Sequence, residues 1–227
     1  MTPFIERTSG FTVMHFPELI DATFISRPNR FLVNAYVKGE KIPVHVHDPG
    51  RLEELLYPGN ELKIRRAPGK KTMYSVTFCK NNDVWTFNDS RFHSDIASLF
   101  LRNGTKREVT VGNSRIDFQL DNSFIEVKSA TLVENGIALF PDAPTLRGRK
   151  HLETLMELID NGYDSYVLFL IFNENATCFQ PNNVMDPEFS KAYYKSIEKG
   201  VKFKFLVFSI VDNNVVFNKV VNDCSGK

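Results

Sequence analysis

The sequence predicts a two-domain protein of mixed α/β (α+β) class, in which an N-terminal β-barrel precedes an α/β domain. Two observations lead to this prediction. Up to about residue 88, short candidate strands alternate with turns rich in Gly, Pro and Asn, which is the pattern of a small antiparallel barrel. From about residue 89, segments with helical periodicity alternate with strands, which is typical of an α/β or α+β sandwich. We therefore predict domains at 1–88 and 89–227.

The strands of the first domain follow from alternation of apolar and polar residues between turns. They are ATFISR, FLVNAYV, IPVHVH, ELKIRRA, TMYSVTFCK and VWTFN, and a short amphipathic piece, LEELL, lies among them. The size of the domain and its single short helix are compatible with an OB-like barrel. The pattern alone does not distinguish this from other small barrels.

The second domain begins where Asn88, Asp89 and Ser90 can each cap a helix, which then runs through SDIASLFLRNG. After a hairpin, TLRGRKHLETLMELIDNG has one apolar face and gives the clearest helix in the chain. YVLFLIF reads as a strand buried on both faces. PEFSKAYYKSIEKG predicts a helix with Pro near its start and Gly at its end. VKFKFLVFSIV and VVFNKVV close the chain as strands.

Composition and charge limit the function classes. The net charge is +1, so a nucleic-acid site must come from local basic patches. No apolar run reaches the roughly 18 residues of a membrane span, and the N-terminus lacks the apolar core of a signal peptide. The three cysteines, Cys79, Cys178 and Cys224, are far apart and lack metal-ligand spacing. We therefore expect reduced thiols and a cytoplasmic protein.

The segment RIDFQLDNSFIEVK, residues 115–128, predicts a tight hairpin that carries unexpected charges. With a two-residue turn at 121–122, counting back along both strands places Asp117 opposite Glu126. Carboxylates at cross-strand distance, roughly 4.5–5.5 Å between Cβ atoms, repel unless one is protonated or a cation lies between them. Lys128 shares a face with Glu126.

These groups suit phosphodiester chemistry. Mg²⁺ prefers oxygen ligands and takes one or two carboxylates together with waters and substrate phosphate. It lowers the pKa of a bound water, and a lysine can orient that water or stabilise the transition state. A turn of three or four residues would instead put the carboxylates on opposite faces. The hairpin would then be an ordinary solvated one, and the residues alone leave both interpretations open.

The spacing D-(x)8-E-V-K between two helices resembles the PD-(D/E)xK nuclease superfamily. The surrounding segments FPELIDATFISRPNRFLV, VHVHDPGRLEELLYPG, SRIDFQL and FIEVKSATLVENGIALFPDAPTLRGRKHLETL resemble the sugar fermentation stimulation protein A family from about Met14 to near the C-terminus. Residues 1–13 fall outside this resemblance. The resemblance implies an OB-like barrel, a nuclease-like α/β domain, and DNA binding with little sequence preference. The family name reflects a regulatory role proposed in sugar utilisation.

Carried over by position, Asp117 and Glu126 are candidate metal ligands, and with Lys128 they form the candidate catalytic group. One departure affects this site, because relatives have a Glu pair where this chain has Ala97 and Ser98. Asp95 lies two or three residues earlier and points to another side of a helix. The sequence therefore does not predict a third carboxylate at this site, or robust catalysis.

Basic residues in both domains are candidates for phosphate contact. The competing interpretation for each is an ordinary solvated turn or a charge that braces a turn. RGRKH also stands at a helix N-terminus, which favours anions. The candidate DNA-binding residues are Arg27, Arg30, Arg51, Arg65, Arg66, Arg147, Arg149 and Lys150.

Three further residues are weaker candidates for metal ligands. His45 and His47 share a face and could hold a metal, but a structural role at a barrel turn is favoured because no third ligand is near in the sequence. Asp142 is a further metal or supporting ligand, or a loop residue.

The sequence thus predicts a non-specific DNA-binding protein. The alternatives are a Mg²⁺-dependent nuclease and a small-molecule regulator. The oligomeric state stays open, with a dimer as one option.

Overall fold

The computed structural model describes residues 2–226. The elements that precede residue 89 are all strands: β1 (Thr12–His15), β2 (Ile20–Asn29), β3 (Leu32–Val37), β4 (Glu40–His45), β5 (Glu61–Arg66), β6 (Tyr74–Asn81) and β7 (Val84–Phe87). A 3₁₀ turn (Ser90–Phe92) leads to the rest: α1 (His93–Ser98), β8 (Lys106–Val111), β9 (Ser114–Leu120), β10 (Ser123–Ala130), β11 (Val133–Glu134), β12 (Ile137–Phe140), α2 (Leu146–Asp160), β13 (Asp164–Ile171), β14 (Cys178–Pro181), α3 (Pro187–Lys199), β15 (Lys202–Val211) and β16 (Asn214–Asp223).

The six strands that follow β1 form one sheet, and five of them close into a barrel. Their order is β4-β3-β2-β5-β6-β7, and β4 also pairs with β6 at His45 and Ser75, which closes the barrel over five strands. Inward-facing apolar side chains such as Val33, Val44 and Leu62 fill its interior. This confirms the predicted N-terminal OB-like barrel. The predicted LEELL helix is wrong in length, since residues 53–56 form only a turn.

The second half of the chain forms one large sheet, ordered β11-β12-β14-β16-β15-β13-β10-β9-β8. Strand β13, in the interior of this sheet, lies parallel to both of its neighbours, β10 and β15. Val167, Phe169 and Ile171 face the core beneath α2 and α3, whereas the alternate residues on β13 face a second core. The prediction of a strand buried on both faces is therefore confirmed.

The second core joins the barrel to the sheet. It contains Phe78 and Phe87 from the barrel wall and Phe172 from the end of β13, with the Phe87 and Phe172 ring centroids 5.1 Å apart. The N-terminal strand β1, which the sequence-based division grouped with the barrel, instead pairs with β16 of the large sheet. The division at residue 88 itself stays a prediction.

Helices depart from the predictions mainly in length. α3 begins at its N-cap Asp186 with Pro187 in the first turn and ends at Gly200, whose φ of 103° is left-handed. Both ends agree with the sequence. The helix predicted to run as far as Gly104 is shorter, because α1 ends at Ser98. None of the helices within residues 2–226 is long and apolar enough to cross a membrane.

Two of the three cysteines correct the expectation of reduced thiols. Cys178 of β14 and Cys224, just beyond β16, form a disulfide, whereas Cys79 is a free thiol buried in the barrel. The parallel pairing of β14 with β16 sets Cys178 opposite Asn222. Two cysteines that are 46 residues apart therefore meet only because the strands between them fold back into the same sheet.

Candidate functional site

The β9–β10 hairpin has the register that a two-residue turn requires. Leu120 pairs with Ser123, and the ladder continues to Phe118 opposite Ile125. One step further, where Asp117 would pair with Glu126, the ladder ends. There the Asp117 carboxylate accepts a hydrogen bond from the backbone N–H of Val127, at 2.7 Å. A side chain thus replaces a backbone hydrogen bond, and this fixes the Asp117 carboxylate against β10.

Glu126 lies at the bottom of the site and is only 2% exposed. Its Oε1 atom accepts from the Lys128 ammonium and contacts the His151 ring. Its Oε2 atom is buried and has no hydrogen-bond partner within the described part of the chain. Burial by itself would raise the pKa of Glu126, but Lys128 and His151 hold this pKa below its ordinary value. Glu126 is therefore an ionised carboxylate with one free oxygen.

Asp117 has the opposite character. Burial, and next the negative charge of Glu126, raise the pKa of Asp117 to about 7. The Val127 N–H and next the positive charge of Lys128 oppose this increase in pKa. Near neutral pH, Asp117 therefore takes up a proton or requires a neighbouring cation.

His151 belongs to this site, although the sequence analysis did not include it in the candidate catalytic group of Asp117, Glu126 and Lys128. It is buried in α2, and its Nδ1 atom lies against Glu126 and 3.2 Å from Lys128 Nζ. Arg147 Nε donates to His151 Nε2 at 3.4 Å. An Nε2 that accepts this bond leaves Nδ1 to carry the proton and donate it to Glu126. The i, i+4 spacing of Arg147 and His151 was the available signal.

The N-terminal turn of α2 determines where Arg147 and His151 lie. Thr145 caps the helix by accepting the N–H of Gly148 at 3.0 Å. Gly148 is buried, and a Cβ there would lie 2.7 Å from the Thr145 methyl group. The first turn therefore packs tightly and directs Arg147 to the rim of the site and His151 to its interior.

A cleft of about 660 Å³ opens over these residues, between the barrel and the large sheet. The barrel contributes Arg30 together with Asp48, Pro49, Gly50 and Leu52 of one loop, whereas the other wall includes Asp142. Asp142 Oδ2 accepts the N–H of Leu52 at 3.3 Å. Burial raises the pKa of Asp48. Asp48 and Asp142 thus line the same cleft as Asp117 and Glu126.

The barrel loop can approach Asp142 only because it contains Gly50. A Cβ at that position would lie 2.5 Å from Asp142 Oδ2. Asp142 therefore braces the loop between the two walls, which agrees with the loop role considered for it.

α1 contributes no carboxylate to the cleft lining among residues 2–226. Asp95 is exposed and forms an ion pair with Arg107 at 2.6 Å, while Ser98 donates to the Asp95 carbonyl. Ala97 is buried in the core. Over the same residues, no group of three or more His, Cys, Asp or Glu side chains is arranged to hold a metal. A cation would therefore have to rely on two carboxylates with water or phosphate.

The structure brings a few of the predicted basic residues to the cleft. Arg30, Lys128 and Arg147 line it. Arg27 instead braces the barrel turn, since its guanidinium donates to the carbonyls of Arg30, Asp48 and Arg51. The remaining predicted residues lie outside the described lining: Arg51, Arg65, Arg66, Arg149 and Lys150.

Two of these outlying residues have structural partners. Arg65 forms an ion pair with the buried Asp89 at 2.7 Å. Lys150 donates to the carbonyl of Asn113 at 2.9 Å. Arg91, which the sequence analysis did not select, is partly exposed and also binds Asp89, at 2.9 Å.

The two barrel histidines pack against each other, with ring centroids 4.2 Å apart. His47 Nε2 lies 3.0 Å from the Ser75 hydroxyl. Burial lowers the pKa of His47 to about 4, so the ring is neutral at neutral pH. These contacts support the favoured structural role.

The fold and the site define a class: a two-domain protein in which an OB barrel and an α/β domain enclose a cleft lined by carboxylates. The family model described as "SfsA N-terminal OB domain" matches residues 25–87, and the one described as "Sugar fermentation stimulation protein RE domain" matches residues 91–214. The chain belongs to the sugar fermentation stimulation protein family.

Relatives cover nearly the whole chain. A sugar fermentation stimulation protein homolog of Picrophilus torridus is 53% identical over 224 residues, which cover 99% of both chains. A homolog from Saccharolobus solfataricus is 50% identical over 209 residues, or 92% of this chain and 87% of the relative. The structure of Pyrococcus furiosus SfsA in complex with Ca²⁺ superposes with a TM-score of 0.85 at 25% identity, covering 94% of this chain and 99% of that chain.

Proposed function

We propose that this protein binds DNA with little sequence preference along the interdomain cleft and holds a divalent cation at Asp117 and Glu126. One observation carries the proposal: a buried, ionised Glu126 presents an oxygen that has no hydrogen-bond partner among residues 2–226, beside Asp117, whose pKa is raised. This pair fits a hard cation, which prefers carboxylate oxygens. Pyrococcus furiosus SfsA, whose structure is a complex with Ca²⁺, supports the same proposal.

The cation also resolves an electrostatic problem in the cleft. Four carboxylates line it, from Asp48, Asp117, Glu126 and Asp142. A DNA phosphate would be repelled by these charges, and Arg30 and Arg147 at the rim only partly offset them. A bound Mg²⁺ would neutralise part of this charge and supply a ligand position for phosphate. The relatives' names refer to sugar fermentation, so we place this binding in a regulatory setting in the cytoplasm.

Metal titration by calorimetry tests the cation site. Glu126→Gln keeps the shape of the side chain and an acceptor for Lys128 but removes the free anionic oxygen. We expect it to weaken Mg²⁺ or Mn²⁺ binding by at least about tenfold. Glu157→Gln changes an exposed carboxylate on the same helix as His151 and serves as the matched control. Equal metal affinity in both variants would show that Glu126 does not bind the cation, and the proposed metal site would be wrong.

The same titration measures the contribution of His151. His151→Asn retains an N–H close to the position of Nδ1, whereas His151→Phe retains the bulk without the donor. We expect the Phe variant to lose about 10- to 100-fold in metal affinity, as is typical when a supporting partner of a ligand is removed. The Asn variant should recover part of this loss.

DNA binding is tested by fluorescence anisotropy with DNA duplexes of unrelated sequence. We expect similar affinity for each sequence, a steep loss with added salt, and tighter binding with Mg²⁺ in the wild type but not in Glu126→Gln. Binding to no DNA at low salt would contradict the proposal.

A second candidate function, Mg²⁺-dependent cleavage of DNA, is favoured by Lys128, which contacts the Glu126 carboxylate and lines the cleft. Its ammonium could orient a water or stabilise charge that develops on phosphate. Because α1 supplies no acid to the described cleft lining, we expect slow cleavage. Nicking of supercoiled plasmid in the presence of Mn²⁺ tests this activity. Nicking by the wild-type protein that is lost in both Lys128→Met and Glu126→Ala would establish it. If the wild-type protein leaves the plasmid intact, cleavage is ruled out and DNA binding remains the proposed function.

A further inference from the structure

An exposed aromatic side chain stands beside the entrance to the cleft. Phe31 lies in the turn between β2 and β3 and is 46% exposed, although large apolar side chains are usually buried. Its chain neighbour Arg30 lines the cleft. Phe31 therefore lies one residue along the chain from the cleft lining.

The Phe31 ring is held rigidly. It stacks on His45, with centroids 6.2 Å apart and ring planes within 9° of parallel, and His45 in turn contacts His47, with centroids 4.2 Å apart. The backbone is fixed as well, since Phe31 N–H donates to Asn29 Oδ1 at 3.0 Å and Phe31 C=O accepts from Val46 at 3.0 Å. A ring held in this way loses little conformational entropy when a ligand stacks on it.

The charge near this pair of rings that reaches solvent is positive. Burial, and next the positive charge of Arg91, lower the pKa of His45, whereas the negative charge of Asp89 opposes this shift; Arg91 is the exposed member of that ion pair and Asp89 the buried one. A second exposed cation, Arg30, directly precedes Phe31 in the chain. An exposed aromatic ring with cations near it suits a ligand that combines a flat, neutral aromatic ring with a negatively charged backbone, as a nucleotide strand does.

We propose that Phe31 and His45 form a stacking site for one unpaired nucleobase of the DNA bound in the cleft. The proposal rests on the proposed function and adds a strand preference to it. A paired duplex offers no free base face away from its ends, so a strand that reaches this site is single-stranded or locally opened. The neighbouring Arg30 would contact the phosphate of the stacked nucleotide.

Anisotropy with a short single-stranded oligonucleotide and the duplex of the same sequence tests the proposal, in Mg²⁺ and in EDTA. We expect Phe31→Ala to weaken single-strand binding by about 5- to 100-fold, the range for one stacked base, and to change duplex affinity by less than about twofold. Tyr36→Ala is the matched control, because Tyr36 is similarly exposed, at 51%, and does not line the cleft. A 2-aminopurine in the strand should be quenched by wild-type protein and not by Phe31→Ala.

Phe31→Leu keeps apolar bulk without an aromatic face and should behave like Phe31→Ala, and thermal unfolding of each variant verifies that it is folded. Unchanged single-strand affinity in both variants, or an equal loss for single strand and duplex, would overturn the stacking site and leave the proposed function standing. A wild-type protein that binds neither form of DNA would overturn both.

Discussion

At the scale of single residues, Asp117 and Glu126 show how a partly buried and a buried carboxylate on adjacent strands acquire different properties. Glu126 is surrounded by donors, the Lys128 ammonium and the His151 ring, so it stays ionised. Asp117 has one backbone N–H at 2.7 Å. A negative charge on Asp117 is therefore poorly compensated, and this makes the protonation of Asp117 sensitive to pH and to a neighbouring cation.

We predict that the metal-free protein loses stability as the pH rises toward neutrality because of Asp117. Its pKa is about 7 in the folded protein, against about 3.9 in an unfolded chain. The stability contributed by the bound proton is complete below the unfolded pKa and is lost as pH rises through the folded one. Asp117→Asn removes this loss, so its gain in Tm over wild type in EDTA should be larger at about pH 8 than at about pH 5.

Asp121→Asn, in the exposed turn of the same hairpin, is the control for this prediction. It should change the Tm by the same small amount at both pH values. A gain for Asp117→Asn that does not depend on pH would show that the carboxyl is not held in its neutral form.

At the scale of elements, one carboxylate fixes the ends of two helices. Asp186 Oδ1 accepts the Phe189 N–H at 2.9 Å and caps α3, whereas Oδ2 accepts the N–H of Thr145, the cap of α2, at 2.8 Å. Asp186 is only 4% exposed. The position of α2, and thus of His151, depends on this contact with α3.

We predict that Asp186→Ala lowers the free energy of unfolding by about 2 to 4 kcal/mol. Loss of an N-cap costs about 1 kcal/mol, and the partly buried N–H of Thr145, left without a partner, adds about 1 to 3 kcal/mol. Urea unfolding measures the change. Glu188→Ala, in the exposed first turn of α3, should stay within about 0.5 kcal/mol of wild type, and an equal loss in both variants would rule out the shared cap.

The helices and strands differ in how clearly the sequence predicts them. Both ends of α3 are predictable because Pro187 and Gly200 have direct backbone consequences. β8 was missed because Lys106–Val111 is an exposed strand at the end of the sheet and is mostly polar. β11 and β12 were missed because they have only two and four residues. Such strands are defined by their partners rather than by their own periodicity.

At the scale of the whole molecule, the disulfide ties the C-terminal end to the sheet. Cys178 and Cys224 close a loop of 46 residues, for which the chain-entropy relation gives about 4 kcal/mol of stabilisation. We predict that dithiothreitol, or the double substitution of both cysteines by Ser, lowers the free energy of unfolding by up to this amount. Urea unfolding with and without reductant measures it.

Cys79→Ser with the disulfide intact is the comparison for that experiment. It tests the buried free thiol separately, and its effect should not change when reductant is added. A wild-type protein whose unfolding is insensitive to reductant would show that the cysteines are not paired in solution.

The sequence by itself determined the barrel and the α/β domain, the buried strand β13, both ends of α3, and the hairpin that carries Asp117, Glu126 and Lys128. These features depend on local periodicity, turn chemistry and spacing along the chain, which a sequence displays directly. Only the tertiary structure decided that His151 contacts Glu126, that Arg27 braces a turn, and that Cys178 meets Cys224. These contacts join residues 24 to 46 positions apart, and which of them form depends on how strands and helices pack, because packing and not chain order brings their side chains together.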